Sequence, residues 1–125
     1  RWQVVLMQLS GTIASPVSVK LSTTSVTDIL ALAAGRADTA TVYGALIVNQ
    51  DSSSRKVTLF WTENTTDYAI YENTIGANES VSIEFDAPIK LMAKSTARKI
   101  RAQAAAANVV TVTVIHTISS QRAEE

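Results

Sequence analysis

The feature that most constrains this chain is the run at residues 109–118, VVTVTVIHTI, which is β-branched at every position except His116. β-Branched side chains lose rotamer freedom in a helix and pack well on a pleated surface, and the period of two has almost no reading but a strand. Shorter strand-like runs, divided by polar turns, fill the sequence upstream. Among all of these there is no cysteine, no second histidine and no glycine-rich loop. The chain looks built to pack and to be bound.

At 125 residues the chain makes one domain with a single core. Apolar residues are 46% and charged ones 18%, below the usual quarter, so Ser and Thr supply much of the polar surface, a composition suited to packing against other proteins. Eleven basic and eleven acidic residues cancel, which leaves no global field to draw in nucleic acid or an anionic membrane. Without cysteine, stability has to come from the core or from association. No apolar run reaches the roughly 18 residues of a membrane span, and the N-terminus lacks a signal-peptide pattern. A chain that opens on Arg1 instead of Met is expected to be trimmed or processed.

Residues 2–9 (WQVVLMQL) are apolar and β-prone at a terminus, either a first strand of the same sheet or an arm that adds to a neighbouring subunit's open edge. After a turn at Gly11 and Pro16, Val17, Val19 and Leu21 alternate with Ser18, Lys20 and Ser22. Residues 28–34 (DILALAA) fit a strand or a short helix ending at Gly35, and strand is preferred. Residues 39–49 place Val42, Gly44, Leu46 and Val48 on one face and Tyr43, Ala45 and Ile47 on the other, the mark of a central strand. Further strands are expected where Val57, Leu59 and Trp61 alternate with Thr58, Phe60 and Thr62, at residues 68–75, and where Val81, Ile83 and Phe85 alternate with Ser80, Ser82 and Glu84. Pro88 opens another short run and belongs at a strand start or edge. Residues 96–107 (TARKIRAQAAAA) have the propensity of a helix, yet Ile100, Ala102 and Ala104 also fit a strand that turns at Ala107 and Asn108. Eight or nine strands at intervals of roughly 8 to 12 residues predict an all-β, antiparallel two-sheet sandwich or a barrel.

Chemistry is sparse. His116 sits mid-strand with Val112, Val114 and Ile118 and reads as a core or interface residue. One histidine and no cysteine exclude the usual zinc site. The turns holding Asn49 with Asp51 and Asn64 with Asp67 are rich in oxygen but lack the spaced carboxylates of a calcium loop. Glu84 and Asp86 would share a strand face as a carboxylate pair, and Trp61, Phe60, Tyr68 and Tyr71 could form a sugar platform, although Trp61 reads as buried. No catalytic residue, metal ligand or cofactor site emerges. The charges do separate along the chain: Glu63, Asp67, Glu72, Glu79, Glu84 and Asp86 precede Lys90, Lys94, Arg98, Lys99 and Arg101. Two arrangements produce this, pairing across strands within one subunit or complementary docking between subunits. The Asn-X-Ser/Thr sequences at Asn64 and Asn78 are read as accidental.

A series of short runs resembles a known group. A β-run ends in Ala34-Gly35, a strand closes on Val48-Asn49, and a Val57-Thr58-Leu59 strand follows a polar turn. Then come Asn78-Glu79-Ser80, residues 87–91 (APIKL), 99–102 (KIRA) and 106–114 (AANVVTVTV). Across residues 24–118 this is similar to small β-sandwich structural proteins of tailed bacteriophages, capsid decoration (cement) proteins or head and tail accessory subunits. Residues 94–98 (KSTAR) depart from that pattern, which has a glycine-containing turn there.

The resemblance implies a jelly-roll-like sandwich at residues 23–120 and a strand at 99–105 in a C-terminal hairpin; residues 1–22 lie outside the match and are expected to form an N-terminal arm particular to this chain, and residues 121–125 a polar tail. It implies a non-enzymatic virion protein on the capsid surface, a homo-oligomer with a trimer favoured, partnered by the major capsid protein and not by nucleic acid or membrane. Trp2, Val4, Val5 and Leu6 are then expected to supply apolar arm contacts, and Lys94, Arg98, Lys99 and Arg101 charged docking. The alternative is a receptor- or carbohydrate-binding module of a tail or fibre.

Overall fold

A computed structural model describes residues 15–35 and 38–120. These form eight strands: β1 (Ser15–Lys20), β2 (Thr27–Leu32), β3 (Asp38–Asn49), β4 (Arg55–Glu63), β5 (Thr66–Ile75), β6 (Ser80–Met92), β7 (Arg98–Ala104) and β8 (Val110–Ser120). They lie in two antiparallel four-stranded sheets, ordered β1-β8-β3-β6 (sheet A) and β2-β7-β4-β5 (sheet B). Successive strands thus pass from sheet to sheet or across an end, which is the jelly-roll connectivity. The expected 1–22 segment divides: β1 belongs to sheet A, while residues 1–14, with Trp2, Val4, Val5 and Leu6, lie outside the described residues, as do residues 121–125.

The core follows from alternation. Val110, Val112 and Val114 of β8 are buried, facing inward beside Val42 and Ile47 of β3. From sheet B they meet Val57 and Leu59 of β4 and Ile100, Ala102 and Ala104 of β7. Each large aliphatic side chain removed from water here contributes about 1.5–3 kcal/mol. The alanines of residues 98–104 form a strand despite their helix propensity, because every second side chain enters this core while Lys99, Arg101 and Gln103 face out. The C-terminal hairpin expected with it does not form: β7 pairs with β2 and β4, β8 with β1 and β3, so the turn at Asn108, whose φ is 62° and whose N–H donates to the Leu21 carbonyl, carries the chain from sheet B to sheet A. Residues 28–34 likewise open as strand, not helix.

The face assignment expected for residues 39–49 needs correction. Val42 pairs with His116 and Gly44 with Ile115, so Tyr43 is an extra residue on β3. This bulge reverses the alternation: Ala40, Val42, Ala45 and Ile47 point inward, while Leu46 turns out. Gly44 is required there, since a Cβ would stand 2.5 Å from the Ile83 carbonyl oxygen. Opposite the bulge, β6 breaks its ladder between Glu84 and Ile89, leaving residues 85–88 unpaired with β3. Pro88 sits in that interruption on an edge strand, where its missing N–H costs nothing.

One polar residue joins the two sheets. Asn49, at the end of β3 and fully buried, donates through Nδ2 to the carbonyls of Ser53, Ile75 and Gly76, and its Oδ1 accepts from the Asp51 N–H.

Candidate assembly surfaces

The two outward faces of the sandwich differ in kind. Sheet B carries a lattice of ion pairs. Arg101 of β7 binds Asp28 of β2 through Nε at 2.8 Å and Asp67 of β5 through Nη1 at 3.2 Å. Lys99 reaches Asp28 at 3.4 Å and Lys56 reaches Glu72 at 2.9 Å, while Arg98, in phase with Ile100 at the end of the core-facing side, reaches Glu63 at 3.6 Å. Thr62 donates its hydroxyl to Asp67 at 2.6 Å, and Arg101 Nη2 donates to the Val26 carbonyl. The lattice spans all four strands of its sheet. Exposed pairs such as Lys56–Glu72 contribute roughly 0–1 kcal/mol each, so their main effect is to fix lateral register.

The charge separation read along the chain is therefore answered, for these residues, by pairing across strands within the subunit. Of the four cations nominated for docking, Arg98, Lys99 and Arg101 each hold acidic partners on their own sheet. Lys94 stands exposed in the β6–β7 connection. Strand order is what brings the opposite charges together, and it is invisible to a reading along the chain.

Sheet A carries few charges on its outer side, among them Lys20, Glu84 and Lys90, all exposed. Ser18, Thr111, Thr113, Thr41 and Ser82 alternate there with Leu46, Ile115 and Met92. Leu46 is 39% and Met92 48% exposed. Tyr43 projects from the bulge with its hydroxyl 3.4 Å from Thr117 Oγ1, which helps to bury that threonine. Two hollows flank this level. One, of about 520 Å³, is lined by residues including Tyr43, Leu46, Ser82, Glu84 and Ile115; the other, of about 380 Å³, by Thr39, Thr41, Lys90, Met92 and Ser119. The outward turn of Leu46 escaped the sequence reading, yet a lone glycine inside a strand pattern signals a bulge, and Gly44 was that signal.

The chemically suggestive residues are taken up by the core or by local contacts. His116 faces the core at 7% exposure, and its buried Nδ1 has no hydrogen-bond partner. Asp51 takes the Arg55 guanidinium at 2.6 Å, and this hydrogen bond holds its carboxyl below the usual carboxylate range. With Asn49 spent on backbone groups and Asp67 on Thr62 and Arg101, neither turn presents a set of open oxygen ligands. Among the described residues no group of three His, Cys, Asp or Glu side chains is placed to hold a metal. Asp86 falls in the ladder interruption, so its spacing from Glu84 no longer sets a common face. Trp61 is half-buried rather than buried, its ring 5.8 Å from that of Tyr68 and 5.7 Å from the Arg98 guanidinium carbon. Asn64 and Asn78 adopt φ of 57° and 56° in tight turns, which explains both asparagines without reference to modification.

No protein-family model matches the chain, and neither does any curated protein. Solved structures do share its fold. A chain in the acid-stable capsid of Helicobacter pylori bacteriophage KHP30 superposes with a TM-score of 0.52 at 15% identity, over 86% of this chain and 87% of that one. A chain of the disulfide-linked pili that form Bacillus endospore appendages gives 0.50 at 13% identity, over 87% and 88%. A chain of the extra small virus particle of the prawn Macrobrachium rosenbergii gives 0.50 at 13%, over 86% and 79%. At these identities the likeness is one of architecture, and the chain has the jelly-roll fold found in these assembly proteins.

Proposed function

We propose that this chain is a non-enzymatic structural protein of a virus particle, specifically a decoration (cement) subunit on the outer surface of the shell. The observation that carries the reading is the extent of the match to the phage capsid chain. The fold accounts for 86% of this chain and 87% of the phage capsid chain, so the likeness runs over nearly the whole of that capsid chain. The Bacillus appendage chain supports the coarser half of the reading, a subunit that acts by packing against other subunits.

The mechanism is mass action. A protein that binds only the assembled shell lowers the free energy of that state, by about 2.7 kcal/mol per site when its free concentration is 100 times its dissociation constant. Its partner is the major capsid protein. Apolar contacts come from Trp2, Val4, Val5 and Leu6, and charged docking from Lys94, with Arg98, Lys99 and Arg101 exchanging internal partners for external ones. A trimer is the proposed oligomer. Cryo-electron microscopy of purified particles tests this reading: density for this chain at regular positions on the shell supports it, and density confined to a tail tip refutes it. Unchanged capsid affinity after both Val5→Asp and Lys94→Glu would remove the contact assignments.

A second reading, a glycan- or receptor-binding module of a tail or fibre, is favoured by Tyr68, 51% exposed beside Trp61. It requires glycan binding by the isolated protein that is lost on Trp61→Ala or Tyr68→Ala.

A further inference from the structure

We infer that the outer face of sheet A is a two-fold contact between copies of this chain, with the axis crossing the strands at the level of Tyr43. The inference concerns the face itself and does not depend on the virion reading.

The argument begins with charge. The ion pairs described above, Arg55–Asp51 in the β3–β4 turn included, all lie on sheet B or at its margin. On the outer side of sheet A, Glu84 and Lys90 are exposed and make no ion pair among the described residues. Both belong to β6, on opposite sides of its interrupted ladder, and no ion pair joins them within the subunit.

Strand β8 has no extra residue at this level and serves as a ruler, at about 3.4 Å per residue. Through β3, the row of Met92 and Thr39 is that of Ser119; Lys90 and Thr41 share the row of Thr117. Glu84 and Gly44 share that of Ile115, and Ser82 and Leu46 that of Thr113. The four rows are symmetric about His116. Turning the face over about an in-plane axis at that level, perpendicular to the strands, lays Lys90 of one copy on Glu84 of the other, and Met92 on the row of Leu46 and Ser82. Each operation occurs twice, as an isologous interface demands.

Shape agrees with charge. Met92, 48% exposed at the edge of the smaller hollow, is carried over the larger hollow beside Leu46 and Glu84, and Leu46 is carried over the smaller one. Strands then run nearly aligned across the contact, the usual geometry when sheets pack face to face. The partner is thus a second copy. An unrelated acidic or basic protein would satisfy only one of the two charges. If the chain also forms trimers through another surface, this contact joins them in pairs, so even-numbered assemblies are expected in either case.

Sedimentation equilibrium of the full chain, at concentrations up to about 100 µM, tests the inference. The expected result is a dimer, or a hexamer built from trimers. Glu84→Lys or Lys90→Glu alone should weaken the even-numbered species at least about tenfold, because each places like charges together twice. The double swap, Glu84→Lys with Lys90→Glu, should restore it. Leu46→Arg should abolish it, and all three side-chain changes are on an exposed face, so circular dichroism and melting temperature should stay at the parent values. A monomer or an unpaired trimer throughout, a single reversal within twofold of the parent, or a double swap no better than the singles overturns the inference. These outcomes leave the location on a particle untouched, and absence from particles leaves them untouched.

Discussion

Replacing Asn49 by Ala probes the link between the two sheets. The side chain is fully buried and makes four contacts with backbone groups: three carbonyls receive its Nδ2 hydrogens, and the Asp51 N–H donates to its Oδ1. Truncation strands the Ile75 carbonyl and the Asp51 N–H in a site that a well-ordered water would have to enter. At about 1 kcal/mol for each satisfied bond, with a penalty when a buried group is left unpaired, the loss should be about 3–4 kcal/mol. For a domain of this size, unfolding entropy near 2.1 cal/mol/K per residue converts that into a fall of about 11–15 °C in melting temperature. Urea denaturation with two spectroscopic probes is the assay, and Asn49→Asp is the informative companion. Aspartate keeps the shape and the acceptor but removes the donors, so it should lose most of the same stability. Should both variants fall by less than about 1 kcal/mol, the reasoning that Asn49 ties β3 to the β5–β6 turn is wrong.

Three further outcomes are expected. Gly44→Ala should lose about 2–3 kcal/mol in denaturant unfolding, because its Cβ would meet the Ile83 backbone oxygen and neither strand can retreat without breaking the bulge; Gly35→Ala, with open space around it, offers a control for φ alone. His116→Leu should raise stability by about 1 kcal/mol in the same assay, since it removes a buried Nδ1 that has no partner and keeps the ring's place filled. Asp51 has its folded carboxyl held below the ordinary value of 3.8 by Arg55, so its contribution is present above that pH and is lost as pH falls through the lower, folded value. Asp51→Asn should therefore flatten the acid limb of a melting-temperature profile and leave the shape of the profile near neutrality unchanged.

Much of the sandwich was readable because most strands obey a local rule without exception. Val110, Val112 and Val114 alternate with threonines, and the burial follows the letters. Residues 98–104 were readable only as a choice, since alanine favours helix locally and the strand wins through the contacts of Ile100, Ala102 and Ala104 with the opposite sheet. The face of β3 was misassigned past Tyr43 because one inserted residue reverses every later side chain, and periodicity has no term for an insertion. On the candidate surfaces the limit was strand order. Arg98, Lys99 and Arg101 looked like a cationic patch along the chain, whereas Asp28 and Glu63, distant in sequence, lie on the strands that flank β7. Nothing in local pattern pairs position 28 with position 101. The fully buried Asn49 was noticed only as a strand end and a turn oxygen, because the carbonyls it binds come from two separate turns.

The interruption at residues 85–88 also decides how such a chain can grow. An uninterrupted outer strand offers a template on which further chains add indefinitely, the route to fibres. Along β6 the regular ladder to β3 runs for only a few residues on either side of Pro88 and then loses its spacing. A strand laid along this edge would lose register near its middle. Growth by addition to the β6 edge is thereby capped at short stretches, which leaves the broad side of sheet A as the larger surface for contacts of fixed angle and number.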